Sequence, residues 1–273
     1  MAAALAVPYS HCEVPRQEGD LQPTMTSALL QRRPELARVL GGLFIPAPHR
    51  FAGPVTGTGL SLEVLSRCTE GIDWQFLPSE LQRTVGKRRL DYLAGRLCAE
   101  QALCRLGCSD CAIRRLPSGE PYWPAGFVGS ITHTDAVAYA VVAVRDGEFG
   151  IGIDSEGVLA ADSVVAVSQV CCSAEEMALV PPGQDAEALV ATLIFSAKES
   201  VYKATYPVVR QVVEFSAVEV AAIDWHAKRL RIRARANGDA GVLVPHCYAN
   251  FEICDNIVHT AVAFDRTVSG MSA

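Results

Sequence analysis

The chain has 273 residues, a formal net charge of −6 and half of its residues apolar. Such a length fits one large domain or two small ones with a sizeable core, and the acidic balance argues against a nucleic-acid binder. No apolar run reaches membrane-spanning length, Met1–Val7 lacks the basic flank of a signal peptide, and ten cysteines would suit a disulfide scaffold only in a much shorter chain, so a cytoplasmic protein with reduced thiols is expected.

Residues 1–43 carry four prolines and few clear signals, and read as a partly ordered extension with a short helix between Ser27 and Leu40. Gly41-Gly42 marks a boundary. Leu60 to Leu65 reads as a strand. Ser79 and Gln82 have the spacing of a capping box, opening a helix that Gly86 interrupts and Gly107 stops near Leu106. Its apolar stripe is Leu90, Leu93, Ala94, Leu97 and Cys104. Arg88, Arg89 and Arg96 lie off that stripe and could converge on a phosphate or form a solvated face. Between Glu80 and Arg115, eight basic residues stand against four acidic ones, which suits an anionic ligand or ordinary helix-surface charge. Cys104, Cys108 and Cys111 include one C-x-x-C, but no second pair with zinc-finger spacing follows.

Pro117 to Pro124 is turn-rich and leads into a strand, Phe127–Ile131, that delivers Thr132 and His133. Val137 to Val144 is a buried strand. Asp146-Gly147 predicts a hairpin that returns the chain into Phe149–Ile153. There, Phe149, Ile151 and Ile153 share one face, while Gly150, Gly152, Asp154 and Glu156 share the other, which the glycines leave open. Two carboxylates on one face repel unless a cation lies between them, and oxygen ligands suit Mg²⁺ with phosphates; a solvated acidic strand end is the alternative.

Ala161 to Leu179 reads as helical with a polar interruption at Ser173. A second helix, capped by Asp185, ends before Pro207, with Leu189, Leu193, Ala197, Ser200, Val201 and Ala204 as its buried stripe. Glu199 and Lys203 share one side of it, either as a surface ion pair or as a further carboxylate and an ammonium for a phosphate. Val218–Ile223, Leu230–Ala234, His246–Ile253 and Ile257–Phe264 read as closing strands.

Gly152-Ile153-Asp154-Ser155-Glu156, followed after about forty residues by Phe195-Ser196-Ala197-Lys198-Glu199-Ser200-Val201-Tyr202-Lys203, resembles the paired signature of the 4'-phosphopantetheinyl transferases. Lys87 to Ala99 and Trp123 to His133 extend the resemblance toward the branch containing enterobactin synthase component D. It implies an α+β fold of two similar, pseudo-symmetric α/β subdomains, here 44–147 binding coenzyme A and 148–273 carrying the acidic residues. It further implies Mg²⁺ on Asp154, Glu156 and Glu199. Glu199 and Lys203 would be catalytic, and Arg88, Arg89, Arg96, Thr132, His133, Lys198 and Lys203 would contact coenzyme A. Lys198, next to Glu199, is turned about 100° around the helix. Glu120 stands where the family often has a lysine.

The implied reaction moves phosphopantetheine from coenzyme A to a serine of an apo acyl or peptidyl carrier protein, an acidic helical bundle, releasing adenosine 3',5'-bisphosphate. Glu199 or a metal-bound water would take the serine proton. A non-catalytic coenzyme A-binding protein and a Mg²⁺-dependent nucleotide phosphohydrolase are the alternatives. The carrier, the pathway and the oligomeric state stay open, and a monomer is compatible with the sequence.

Overall fold

The computed structural model describes residues 24–145, 149–181, 186–209, 214–235 and 247–265. In chain order the elements are α1 (Met25–Arg32), β1 (Phe44–Pro46), β2 (Thr56–Ser61), α2 (Leu62–Cys68), α3 (Ser79–Gln82), α4 (Gly86–Arg105), β3 (Arg114–Arg115), β4 (Pro121–Tyr122), β5 (Phe127–His133), β6 (Val137–Val144) and β7 (Phe149–Gly157). There follow α5 (Ala161–Cys171), α6 (Ala174–Met177), α7 (Glu187–Val209), β8 (Val218–Asp224), β9 (Arg229–Ala234), β10 (Cys247–Cys254) and β11 (Ile257–Asp265). No helix of the described residues is long and apolar enough to cross a membrane.

The architecture is α+β. A four-stranded antiparallel sheet, ordered β1-β2-β6-β5, forms the N-terminal half. A five-stranded antiparallel sheet, β7-β11-β10-β9-β8, forms the C-terminal half. Each half lays one long helix on its sheet, α4 over β2 and β6 and α7 over β7 and β11. Leu93, Leu97 and Leu103 of α4 close the first core; Leu193, Ile194 and Val201 of α7 close the second. A third cluster, with Tyr139 and Val141 from β6 and Ile151 and Ile153 from β7, packs the halves together.

Several sequence expectations change. Leu29, Leu36 and Leu40 belong to the N-terminal core, so residues 25–40 are built into that half rather than appended to it. Pro34 ends α1 and starts a 3-10 turn instead. Leu60 to Leu65 divides between β2 and α2, because the Ser61 hydroxyl accepts the Val64 N–H and caps a helix. The capping box at Ser79 is absent: Pro78 is the cap, and the Gln82 amide donates to Gln75 and Leu77 carbonyls. Gly107, at φ +77°, does end the long helix, and Cys108 N–H bonds back to Leu103 O at 3.1 Å. Cys104 is exposed and leaves the predicted stripe.

The predicted hairpin into Phe149 does not form, although its turn residues lie outside the described set. Both edges of β6 are taken, by β2 and by β5, so β7 pairs with β11 in the other sheet. Ser173 does interrupt its helix, capping α6 through a capping box with Glu176. Asp185 lies outside the described residues. Helix α7 runs through Pro207, which lacks the N–H that would donate to the Lys203 carbonyl, two residues before the helix ends. Asp255 and Asn256, at φ 51° and 61°, make the two-residue turn between β10 and β11.

Candidate active site at the seam of the two halves

Strands β5 and β7 are each the edge of their own sheet and lie side by side. Hydroxyls join them: Ser130 Oγ accepts the Ile153 N–H at 3.0 Å, and Thr132 Oγ1 accepts the Ser155 N–H at 3.1 Å. Helix α7 covers the far face of β7. A Cβ built on Gly152 would lie 1.9 Å from the Ser200 carbonyl oxygen and 2.7 Å from the Ala204 nitrogen. At Gly152 the glycine face is therefore filled, not open as the strand pattern suggested. It is the groove that lets the α7 backbone approach, and it sets Glu199 and Lys203 beside Asp154.

Asp154 is 2 % exposed. Its Oδ1 accepts from Lys203 Nζ at 2.7 Å and from Thr132 Oγ1 at 3.3 Å, while Oδ2 is buried without a partner. A buried carboxylate oxygen left unpaired costs free energy unless a ligand satisfies it. Glu156 is half-buried. Burial, then the charge of Asp154, push its carboxyl from 4.5 up to about 7 against the opposing pull of Lys203. Glu199 is raised as well, by burial first, with Lys203 lowering it and Asp154 raising it. The three carboxylates thus share one field, which Lys203 partly neutralises. Among the described residues, no three His, Cys, Asp or Glu side chains are arranged as a metal-binding group. The donor chemistry nevertheless fits a hard cation: three carboxylates, two held above their ordinary range, and one unpartnered oxygen.

His133, at the end of β5, is half-buried. Burial lowers its pKa, Asp91 opposes, and Lys87, Arg88 and Lys203 lower it further. His133 therefore lies in the field of Lys87, Arg88 and Lys203, which favours its neutral ring. Lys87 lies 3.2 Å from Asp91 and 3.2 Å from Asp135. The Oδ1 atom of Asp91 is buried without a partner. Two small cavities continue the seam. One, of about 300 Å³, is lined by Trp123, Ser130, Tyr202, Lys203 and Tyr206; the other, of about 320 Å³, by Trp123, Phe127, Gly150 and Ala204.

The three arginines do not converge as expected. Arg88 is exposed. The Arg89 guanidinium lies 5.4 Å from the Trp74 ring centre, and that of buried Arg96 lies 5.0 Å from Tyr92. Burial lowers Arg96, with Tyr92 and Glu100 opposing, and its Nη1 has no partner. Thr132 is buried and spends its hydroxyl on Asp154 and Ser155, so it joins the halves instead of facing a ligand. Lys198 is 3 % exposed and points into the C-terminal half, where it donates to Cys171 O at 2.7 Å, Glu176 Oε2 at 2.9 Å and Phe215 O at 3.2 Å. All three of its donors are used, so a coenzyme A contact by Lys198 is ruled out here.

Sequence reasoning passed over the support behind Asp154. His49 Nε2 lies 3.2 Å from the Asp154 carbonyl oxygen and 3.1 Å from Ser155 Oγ, which in turn lies 2.9 Å from His259 Nδ1. Burial and the neighbouring His259 hold His49 down at about 3. The one available signal was the phase of Ser155, which faces away from the two carboxylates that flank it.

Residues 77–143 match the family described as the 4'-phosphopantetheinyl transferase N-terminal domain, and residues 150–251 match the 4'-phosphopantetheinyl transferase superfamily. The 4'-phosphopantetheinyl transferase PptT of Mycobacterium tuberculosis is 36 % identical over 154 residues, 53 % of this chain and 64 % of the relative. The 4'-phosphopantetheinyl transferase Svp of Streptomyces mobaraensis is 35 % identical over 145 residues, 52 % of this chain and 58 % of the relative. Enterobactin synthase component D of Escherichia coli O157:H7 is 32 % identical over 176 residues, 59 % of this chain and 82 % of the relative. The chain thus spans less than two thirds of the first two relatives and most of the third.

Proposed function

Because the chain belongs to the 4'-phosphopantetheinyl transferase superfamily, with the enterobactin synthase component D-like branch among its relatives, we propose that it transfers 4'-phosphopantetheine from coenzyme A to a carrier protein. The acceptor is a serine hydroxyl of an apo acyl or peptidyl carrier, and the leaving group is adenosine 3',5'-bisphosphate. Residues 44–147 would receive the nucleotide end, and 148–273 would supply the acidic residues. The observation that carries this reading is the Lys203–Asp154 contact at 2.7 Å. It joins the two signature stretches at one point on the seam.

Phosphoryl transfer asks a protein chiefly for positioning and for charge neutralisation. Asp154, Glu156 and Glu199 would hold Mg²⁺, which when bound supplies positive charge to the pyrophosphate oxygens. The unpartnered Oδ2 of Asp154 and the raised carboxyls of Glu156 and Glu199 support that choice. Lys203 now neutralises Asp154. With that carboxylate otherwise engaged, its ammonium would stabilise the β-phosphate and the departing bisphosphate. His133 and Arg88 would take the nucleotide phosphate, with Arg96 further along the helix that carries Arg88. Glu199 would be the carboxylate that accepts the serine proton. The exposed charge of Arg88 would favour an acidic carrier, and added salt would weaken the encounter. Action in the cytoplasm is part of the same reading.

The test is direct. The chain is incubated with an apo carrier, coenzyme A and Mg²⁺, and the carrier is weighed. A phosphopantetheinyl mass increment on the acceptor serine is expected. An unmodified carrier across acyl and peptidyl types would overturn the proposal.

A further inference from the structure

Helix α4 ends in a thiol pair that the seam does not use. Gly107 turns the chain back after Arg105, and Gly107 N–H and Cys108 N–H bond to Cys104 O and Leu103 O at 3.0 and 3.1 Å. The return brings Cys111 against the last turn of the helix, where its Sγ lies 2.8 Å from Cys104 Sγ. The two thiols differ in access: Cys104 is exposed and Cys111 is buried. Cys108 is turned away, its Sγ donating to the Asp110 carbonyl at 3.2 Å. Among the described residues no three thiols or other donors form a metal-binding group. Cys171 and Cys172 are also close, at 3.4 Å, but as chain neighbours they would staple nothing.

What the pair would staple is a cavity. A space of about 730 Å³ lies between α1, α4 and the segment after Cys111. Tyr92 and Glu100 of α4 form one wall, and Ala112, Ile113, Arg114 and Arg115 form another. Cys104 is on the helix of the first wall, and Cys111 immediately precedes the second.

We propose that Cys104 and Cys111 are a reversible thiol–disulfide site that fixes these two walls relative to each other. The oxidant is a low-molecular-weight disulfide. The Cys104 thiolate attacks one of its sulfurs, forming a mixed disulfide and releasing one thiolate. Cys111 then gives up its proton and attacks Cys104 Sγ, and the second small thiolate leaves. The net change converts two protein thiols and one small disulfide into one protein disulfide and two small thiols. Cys104 is the entry point because it is exposed; burial and the neighbouring thiol hold Cys111 protonated until it attacks.

The full chain is titrated with mixtures of oxidised and reduced glutathione, alkylated, digested and mapped by mass. A peptide pair linked through Cys104 and Cys111, lighter by two hydrogens and restored by reduced glutathione, is expected. The link persists in Cys108→Ser and disappears in Cys111→Ser and in Cys104→Ser, the latter an exposed position that keeps the test usable if the buried variant misfolds. Glutathione retained on Cys104 without a link, or a link through Cys108, would overturn the proposal. Oxidation should also slow amide exchange over residues 112–116; unchanged exchange there would refute the coupling to the cavity wall.

Discussion

Lys198 and Lys203 stand on one helix and lead to two different kinds of region. Inside the C-terminal half, Lys198 meets three acceptors, and Glu176 accepts from Lys198, Ser173 N–H and Val220 N–H. Both charges of this pair are closed by the chain itself. At the seam the accounts stay open. Asp154 Oδ2 and Asp91 Oδ1 lack partners, and Glu156 and Glu199 are held above their ordinary range. Closed charges hold one structure; open ones are where a ligand can still be of use.

That contrast can be broken by substitution. The largest effect expected is on chemistry: Asp154→Ala should abolish transfer while thermal unfolding stays close to wild type, read from carrier mass and a melting curve. Retained transfer would remove Asp154 from the site. Lys198→Ala should do the reverse. It strands Glu176 in the interior at a cost of about 3–5 kcal/mol, measured by denaturant unfolding. Gly152→Ala is the one change that should damage both regions, because its methyl group meets the α7 backbone. A loss of about 2 kcal/mol or more is expected, with reduced transfer from whatever remains folded.

Arg96→Ala should weaken apparent coenzyme A affinity about tenfold with kcat little changed, as for loss of a charge-assisted contact. An unchanged affinity would leave Arg96 as packing for Tyr92 alone. The smallest effect concerns pH in the absence of metal. His49, depressed from 6.5 to about 3, gives stability that is present above 6.5 and lost as pH falls. Glu156, raised from 4.5 to about 7, does the opposite, favouring the fold as pH falls from 7 toward 4.5. Where the windows overlap the two oppose each other. Urea unfolding across that range should therefore show His49→Gln gaining stability on acidification relative to wild type, and Glu156→Gln losing it.

Local rules made much of this legible. The glycine stop after α4, the closing hairpins and the two signature stretches depend on spacing within a few residues, and they appear where the pattern put them. Helical phase turned Lys198 away from Glu199, but it was still grouped with Lys203 as a coenzyme A contact, and only Cys171, Glu176 and Phe215 show where it goes. What failed depended on partners distant in the chain. Asp146-Gly147 carries a hairpin signal, but β6 had no free edge to offer. The glycines of β7 read as an open face because the helix that fills it comes some fifty residues later. Thr132 has the right chemistry for a phosphate, and only the adjoining edge strand shows that its hydroxyl is already spent. The imidazole of His49 reaches Asp154 across 105 positions, with no periodicity to announce it.

Ser130 and Thr132 complete the outer rim of β7 with hydroxyls where a neighbouring strand would use carbonyls. A main-chain ladder would fuse the two sheets into one continuous surface and lock their register. Here each β7 amide finds its acceptor on a side chain, so the two sheets keep separate registers. The two sheets thus meet, without a shared strand pairing, along the line where Asp154 and Lys203 lie.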